Sequence, residues 1–181
     1  MRRWVLLPAL MAPIALIGGW TVAAGRQPAG YSSTQDTISA LAALDARDRW
    51  IMTVGIAILG CCYLAMAIGL PALALLGRRT LAVGGVATLL VAVFPLPLPA
   101  HGPIALTAFV AMSIWPALSN APSRAVSVGA TAVMLGLLAW FFQALQQHEL
   151  AGLSERALAG CQSLWPAAVI LYLMSRPTAA T

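Results

Sequence analysis

The sequence predicts an all-α, polytopic membrane protein: one domain over residues 1–181, with six transmembrane helices and a short interfacial helix in the first outward loop. Three observations predict it. Hydrophobic residues make up 61% of the chain against 8% charged, with a mean hydropathy of +0.88, which leaves too little polar surface to cover a soluble globule. Six segments, at 4–24, 50–76, 80–97, 103–120, 125–147 and 157–175, carry no charged side chain. Each is close to the roughly 20 residues that cross a bilayer core about 30 Å thick. The connectors between them also sort by charge. One side receives Arg2, Arg3, Arg78, Arg79, Arg124 and Arg176 with no acid. The other receives Arg26, Arg47, Arg49 and Arg156 together with Asp36, Asp45, Asp48, Glu149 and Glu155. The acid-free side is cytoplasmic by the positive-inside rule, so both termini are expected there, as six spans require. An odd number of helices would mix the two sets.

The first helix opens Met1-Arg2-Arg3-Trp4 and ends near Thr21-Val22-Ala23-Ala24-Gly25, a pattern shared with cleavable signal peptides. Its apolar run of about 20 residues exceeds the usual signal core, so it is read as an uncleaved span. Between the third and fourth helices, Pro95, Pro97, Pro99 and Pro103 remove backbone donors and force a break. Small residues at four-residue spacing mark candidate helix contacts. Examples are Gly19 and Ala23, Ala65 and Gly69, and Gly84 and Thr88. Helix five carries the longest series, Ala125, Gly129, Ala132 and Gly136, and is the expected close-packing face.

The spans hold few polar residues, Tyr63, Thr88, Ser113 and Gln162 among them, and no ionisable group, which argues against a proton channel or ion-coupled pump. Cys61, Cys62 and Cys161 read as small packing residues at different depths, with no disulfide expected. No cofactor and no metal site is expected. A haem held by His101 and His148 is disfavoured because both lie near the surface. Ten Arg, no Lys, three Asp and two Glu give a net charge of +5 through scarcity of acid rather than a basic patch, which excludes nucleic acid as a partner.

The loop at 25–49 is the most informative segment. Ser33 and Asp36 are spaced as a helix N-terminal capping pair, and Ile38, Leu41, Ala42 and Leu44 follow on one helical face. This predicts a short amphipathic helix lying at the outer interface. Asp45 and Asp48 are expected to cap the second span, with Trp50 at the headgroup level. His101, His148, Asp36 and Asp45 share the outward face, where they serve either as an acid–base set or simply as solvated loop residues and caps. Trp115-Pro116 and Trp165-Pro166 place prolines inside helices four and six. Gln162, Ser163 and Trp165 on helix six, with Tyr31 in the loop, are the expected ligand-binding residues.

The stretch YSSTQDTISALAALDARDRWIMTVG, followed late in the chain by GLSERALAGCQSLWPAAVIL, resembles a bacterial integral-membrane family known as domain of unknown function 998. The likeness includes the Tyr-Ser and Thr-Ile-Ser-Ala stretch, Arg49-Trp50, Phe94-Pro95, and Glu155-Arg156 ahead of Trp165-Pro166. It implies a six-helix membrane protein and carries no activity or cofactor with it. Arg49, Glu155 and Arg156 are expected to form structural ion pairs, with Asp36 or Asp45 pairing with Arg49 or Arg156 to fasten the loop to helix six.

The function expected is non-enzymatic: binding of a lipid or other apolar ligand, or service as an accessory subunit of an envelope complex. The alternatives are an enzyme acting on a lipid headgroup at the outer face, with His101 or His148 as base, and a permease for a neutral solute. Membrane lipids and other membrane proteins are the expected partners. The Lys-free, Ala-rich composition points to a GC-rich bacterial genome, and hence to the cytoplasmic (inner) membrane.

Overall fold

A computed structural model of the chain describes residues 3–175, so Arg2 and Arg176 lie outside the described residues. Six helices are long and apolar enough to cross a membrane: α1 (Arg3–Ala24), α3 (Trp50–Gly69), α4 (Leu75–Val93), α5 (His101–Ser119), α6 (Arg124–Gln147) and α7 (Ala151–Ser175). A four-residue helix, α2 (Ile38–Leu41), lies in the loop after α1. The chain is a multi-pass membrane protein. At about 1.5 Å per residue the six helices are roughly 28 to 38 Å long, which matches the hydrocarbon thickness.

Each spanning helix packs on the one before it and the one after it, and α7 closes the ring by packing on α1. The closest crossings rest on glycines. A Cβ on Gly60 of α3 would lie 2.9 Å from the carbonyl oxygen of Gly85 on α4, and one on Gly55 would lie 2.8 Å from that of Ala15 on α1. Such approaches replace hydrophobic exclusion as the source of helix attraction in lipid. Helix α1 adapts to this contact. Pro13 lacks an N–H, and the next residues, Ile14–Gly18, continue as a π-helical turn before α geometry resumes at Gly19.

Helix five of the sequence reading, α6, is the exception to the glycine pattern. A Cβ on Gly129 or Gly136 meets nothing within 4 Å, so the series expected to make the tightest contact faces away from the bundle. What holds α6 is the opposite stripe: Met134, Leu138 and Phe141 pack with Leu158 of α7, and Phe141 meets Phe109 of α5 edge-on at 5.6 Å. Thr131 also accepts a hydrogen bond from the Ala117 N–H at 3.1 Å, just beyond the helix-interior Pro116.

Several boundaries differ from the expected ones, each for a local reason. Helix α3 stops at Gly69 ahead of Pro71, and α4 begins at Leu75, taking in Arg78. The Arg78 Nε reaches back to the Ala67 carbonyl at 2.9 Å and satisfies the last turn of α3. Helix α5 starts at His101, with Pro103 in its first turn, where a missing N–H costs nothing. Helix α7 begins at Ala151, which draws Glu155 and Arg156 out of the connector and into the helix. The expectation that no span holds an ionisable side chain is corrected by this shift.

The loop helix is also corrected. Thr37 caps it, accepting from the Ala40 N–H at 3.1 Å, while the Asp36 carboxylate accepts from the Ser32 N–H at 2.7 Å and closes a turn. Ile38 and Leu41 are buried in the core, so α2 is a plug in the bundle rather than a helix resting on the interface. Asp45 and Asp48 do not cap α3 through their side chains; the Asp48 carbonyl accepts from the Ile51 N–H at 3.0 Å. Trp50 stands exposed at the start of α3.

Substituting Gly60 with Leu should lower the unfolding temperature in detergent by the equivalent of at least about 1–3 kcal/mol, because backbone lies where the side chain must go. Gly136→Ala should leave it unchanged or raise it by up to about 1 kcal/mol through helix propensity. Equal losses in both variants would contradict the placement of α6.

Candidate functional site

The loop after α1 and the start of α7 satisfy each other's backbone. The first turn of a helix leaves N–H groups without partners. In α7 these go to the loop: Gly152 N–H donates to the Gln35 carbonyl at 3.1 Å and Leu153 N–H to that of Thr34 at 3.0 Å. Just ahead of the helix, Leu150 N–H donates to the Gln35 Oε1 at 2.9 Å. Gly152 permits this approach, since any Cβ there would overlap the Asp36 carbonyl.

The favour is returned by two adjacent side chains. Arg156 Nη1 donates to the carbonyls of Ser33 at 2.7 Å and Asp36 at 2.8 Å, and Nη2 donates to the Tyr31 hydroxyl at 2.6 Å. The guanidinium also stands over the Trp20 ring, 6.0 Å from its centroid. Glu155 accepts from the Ile38 N–H at the start of α2 and from the Ser39 hydroxyl at 3.2 Å. The expected ion pairs are therefore replaced by charge-to-backbone bonds: Arg156 grips the carbonyl of Asp36 and not its carboxylate. Arg49 contributes its own carbonyl, which accepts from the Thr53 hydroxyl at 3.0 Å.

Below α2 lies a cavity of about 70 Å³, walled by five spanning helices, α1, α3, α4, α5 and α7, and roofed by Ile38 and Ser39. Leu16, Ile56, Leu59, Val91, Phe109 and Met112 make most of the wall apolar. Four polar side chains of the spans reach it: Glu155, Gln162, Tyr63 and Thr88. Glu155 is 2% exposed. Gln162 spends its amide hydrogens on the Phe109 carbonyl at 2.9 Å and the Ser113 hydroxyl at 3.0 Å, which ties α7 to α5 across the bundle. Thr88 donates to the Gly84 carbonyl at 2.8 Å.

The other residues singled out by the sequence lie elsewhere. His101 is buried at the start of α5, its Nδ1 2.9 Å from the Phe94 carbonyl, and it pins the connector between α4 and α5. His148 is an exposed C-cap of α6 in the left-handed conformation, with φ of 56°. Asp45 is exposed in the loop, and Asp36 is turned to Ser32. Ser163 bonds the Gly160 carbonyl at 2.9 Å, and Trp165 lines a shallow groove between α6 and α7. Among the described residues no group of three His, Cys, Asp or Glu side chains could hold a metal ion. Tyr63, Thr88 and Ser39 were visible as polar residues in apolar or helical context, but nothing in their spacing joins them; the ring of helices does.

Over residues 9–172 the sequence matches the family described as protein of unknown function (DUF998). The chain belongs to this family. No curated protein and no solved structure matches it. The matched residues of this DUF998 protein contain every group that walls the cavity, from Leu16 to Gln162, and the whole seam between the loop and α7. The resemblance seen in the Thr-Ile-Ser-Ala and Glu155-Arg156 stretches thus falls on the two sides of one contact.

Replacing Arg156 with Ala in the DUF998 protein should lower its stability by about 2–4 kcal/mol, since several charge-assisted bonds to backbone disappear together. Arg156→Lys should recover little, because an ammonium cannot reproduce the fork. Asp36→Asn should leave melting nearly unchanged; a loss matching that of Arg156→Ala would restore the ion-pair reading.

Proposed function

We propose that this protein binds a lipid segment or another small apolar ligand between its helices, and that binding rather than bond-making is its role. The cavity under α2 carries this reading. Its walls are mostly apolar, four polar side chains of the spans reach it, and the roof is a short helix held by side chains at its edge. That combination is typical of ligand sites in helical bundles. About 70 Å³ suits a short apolar group or part of an acyl chain, and a larger guest requires α2 to move. The lipid-headgroup enzyme is less favoured by the geometry, because His101 is engaged with Phe94 and His148 is an exposed cap.

A second reading, an accessory subunit of an envelope complex, is favoured by α6. Its open face at Gly129 and Gly136 offers close approach to a partner helix. The Arg distribution further supports a bacterial inner-membrane protein whose α2 face is external. Arg3, Arg78, Arg79 and Arg124 lie at the other face with no acid among them.

Native mass spectrometry of the protein released from nanodiscs tests the reading. A retained apolar ligand is expected, and it should be lost in Ala108→Leu and Ala159→Leu, which fill the cavity. A stoichiometric protein partner with no retained ligand would replace binding with the subunit role. For orientation, single cysteines at Gln146 and Ala74 in a cysteine-free background should react differently with an impermeant maleimide on intact cells. Gln146→Cys should label and Ala74→Cys should require permeabilisation; the reverse pattern inverts the topology.

A further inference from the structure

The polar lining of the cavity is unbalanced between donors and acceptors. A carboxylate offers about four acceptor positions, and Glu155 uses three, for the N–H groups of Ile38 and Ser39 and the Ser39 hydroxyl. Both amide hydrogens of Gln162 are committed to Phe109 and Ser113, which leaves its Oε1 as a spare acceptor. The Thr88 proton goes to Gly84, so its oxygen too can only accept. Tyr63 is 2% exposed and makes no hydrogen bond among the described residues, and its hydroxyl supplies the one remaining donor. The charge is unbalanced as well. Arg156, the cation next in sequence to Glu155, turns its guanidinium to the loop carbonyls and Tyr31. A buried acid with no cationic contact, set in an apolar wall, is costly unless something completes it.

We propose that the cavity takes a small amphipathic ligand with a protonated primary amine as its head, held by Glu155, Gln162 and Tyr63, and a short apolar body against Leu59, Val91 and Met112. The proposal rests on the binding role above and adds the chemical class of the ligand. An ammonium brings three donors and one positive charge, which matches a site of spare acceptors and an acid that Arg156 stabilises only from a distance. A carboxylate head would meet Glu155 with like charge. A bare metal ion would find too few oxygens here, since hard cations take six or more. Because Glu155 also holds the first N–H of α2, the ligand head contacts the group that fastens the roof.

The test uses the full chain in phosphatidylcholine nanodiscs, titrated calorimetrically with hexylamine, hexanol and hexanoate, with Ala108→Leu in identical nanodiscs to subtract partition into lipid. Hexylamine should bind saturably and at least tenfold tighter than hexanol, and hexanoate should show no saturable binding. Glu155→Gln keeps an acceptor for Ile38 and removes the charge, so it should bring hexylamine to within about twofold of hexanol. Tyr63→Phe should weaken hexylamine severalfold and decides the matter together with the wild-type ranking if Glu155→Gln does not fold. Hexanol binding as tightly as hexylamine, and lost in Ala108→Leu, would overturn the amine assignment while leaving the cavity a ligand site. Isotherms that Ala108→Leu does not alter would overturn both.

Discussion

The exchange of backbone caps between the first loop and the last helix is the constraint on which the rest of this structure depends. The first N–H groups of a helix have no partner within it, and loop carbonyls have none unless another part of the chain or water supplies one. The loop carbonyls of Ser33, Thr34, Gln35 and Asp36 and the first N–H groups of α7 would be such orphans if taken separately. Together they satisfy one another, with Arg156 supplying donors that the helix lacks and Glu155 supplying acceptors for α2. Two neighbouring residues of opposite charge thus act in opposite directions: one holds the rim of the loop, and the other holds the helix that plugs the bundle.

From this seam the remaining architecture follows. With α7 fixed to the loop, it is also brought against α1, and the ring of helices closes. Closure around the glycine contacts of α3 with α1 and α4 leaves the centre incompletely filled, because side chains there are short, as at Ala105, Ala108 and Ala159. The cavity is where those two facts meet. Its polar residues come from α3, α4 and α7, and Gln162 bridges to α5, so the site has no local sequence counterpart.

What was legible in the sequence was whatever composition and charge control. Long uncharged segments must be spans, and the Arg-rich and acid-containing connectors must alternate, so the six helices and their connectivity could be read directly. The start of α7 could not, because Glu155 and Arg156 look like connector residues until their partners in the loop are known. Those partners are main-chain carbonyls, which no side-chain pattern announces. The small-residue series misled for a related reason. Spacing marks a face on which approach is possible, but whether a neighbour stands there depends on the ring, and for Gly129 and Gly136 none does. Gln162 was singled out from its place in helix six, whereas Tyr63 and Thr88 gained meaning only through the cavity.

The seam also has a consequence for biosynthesis. Its partners lie 115 to 125 residues apart, from Gln35 with Leu150 to Tyr31 with Arg156. When the ribosome has delivered the loop and the next four spans, the atoms that the loop requires have not yet been made. Until Arg156 emerges, the carbonyls of residues 33–36 must be hydrated, α2 has no anchor at its first N–H, and the ring stays open between its first and last members. These contacts can therefore form only once the far end of the chain has been made, after all the intervening spans.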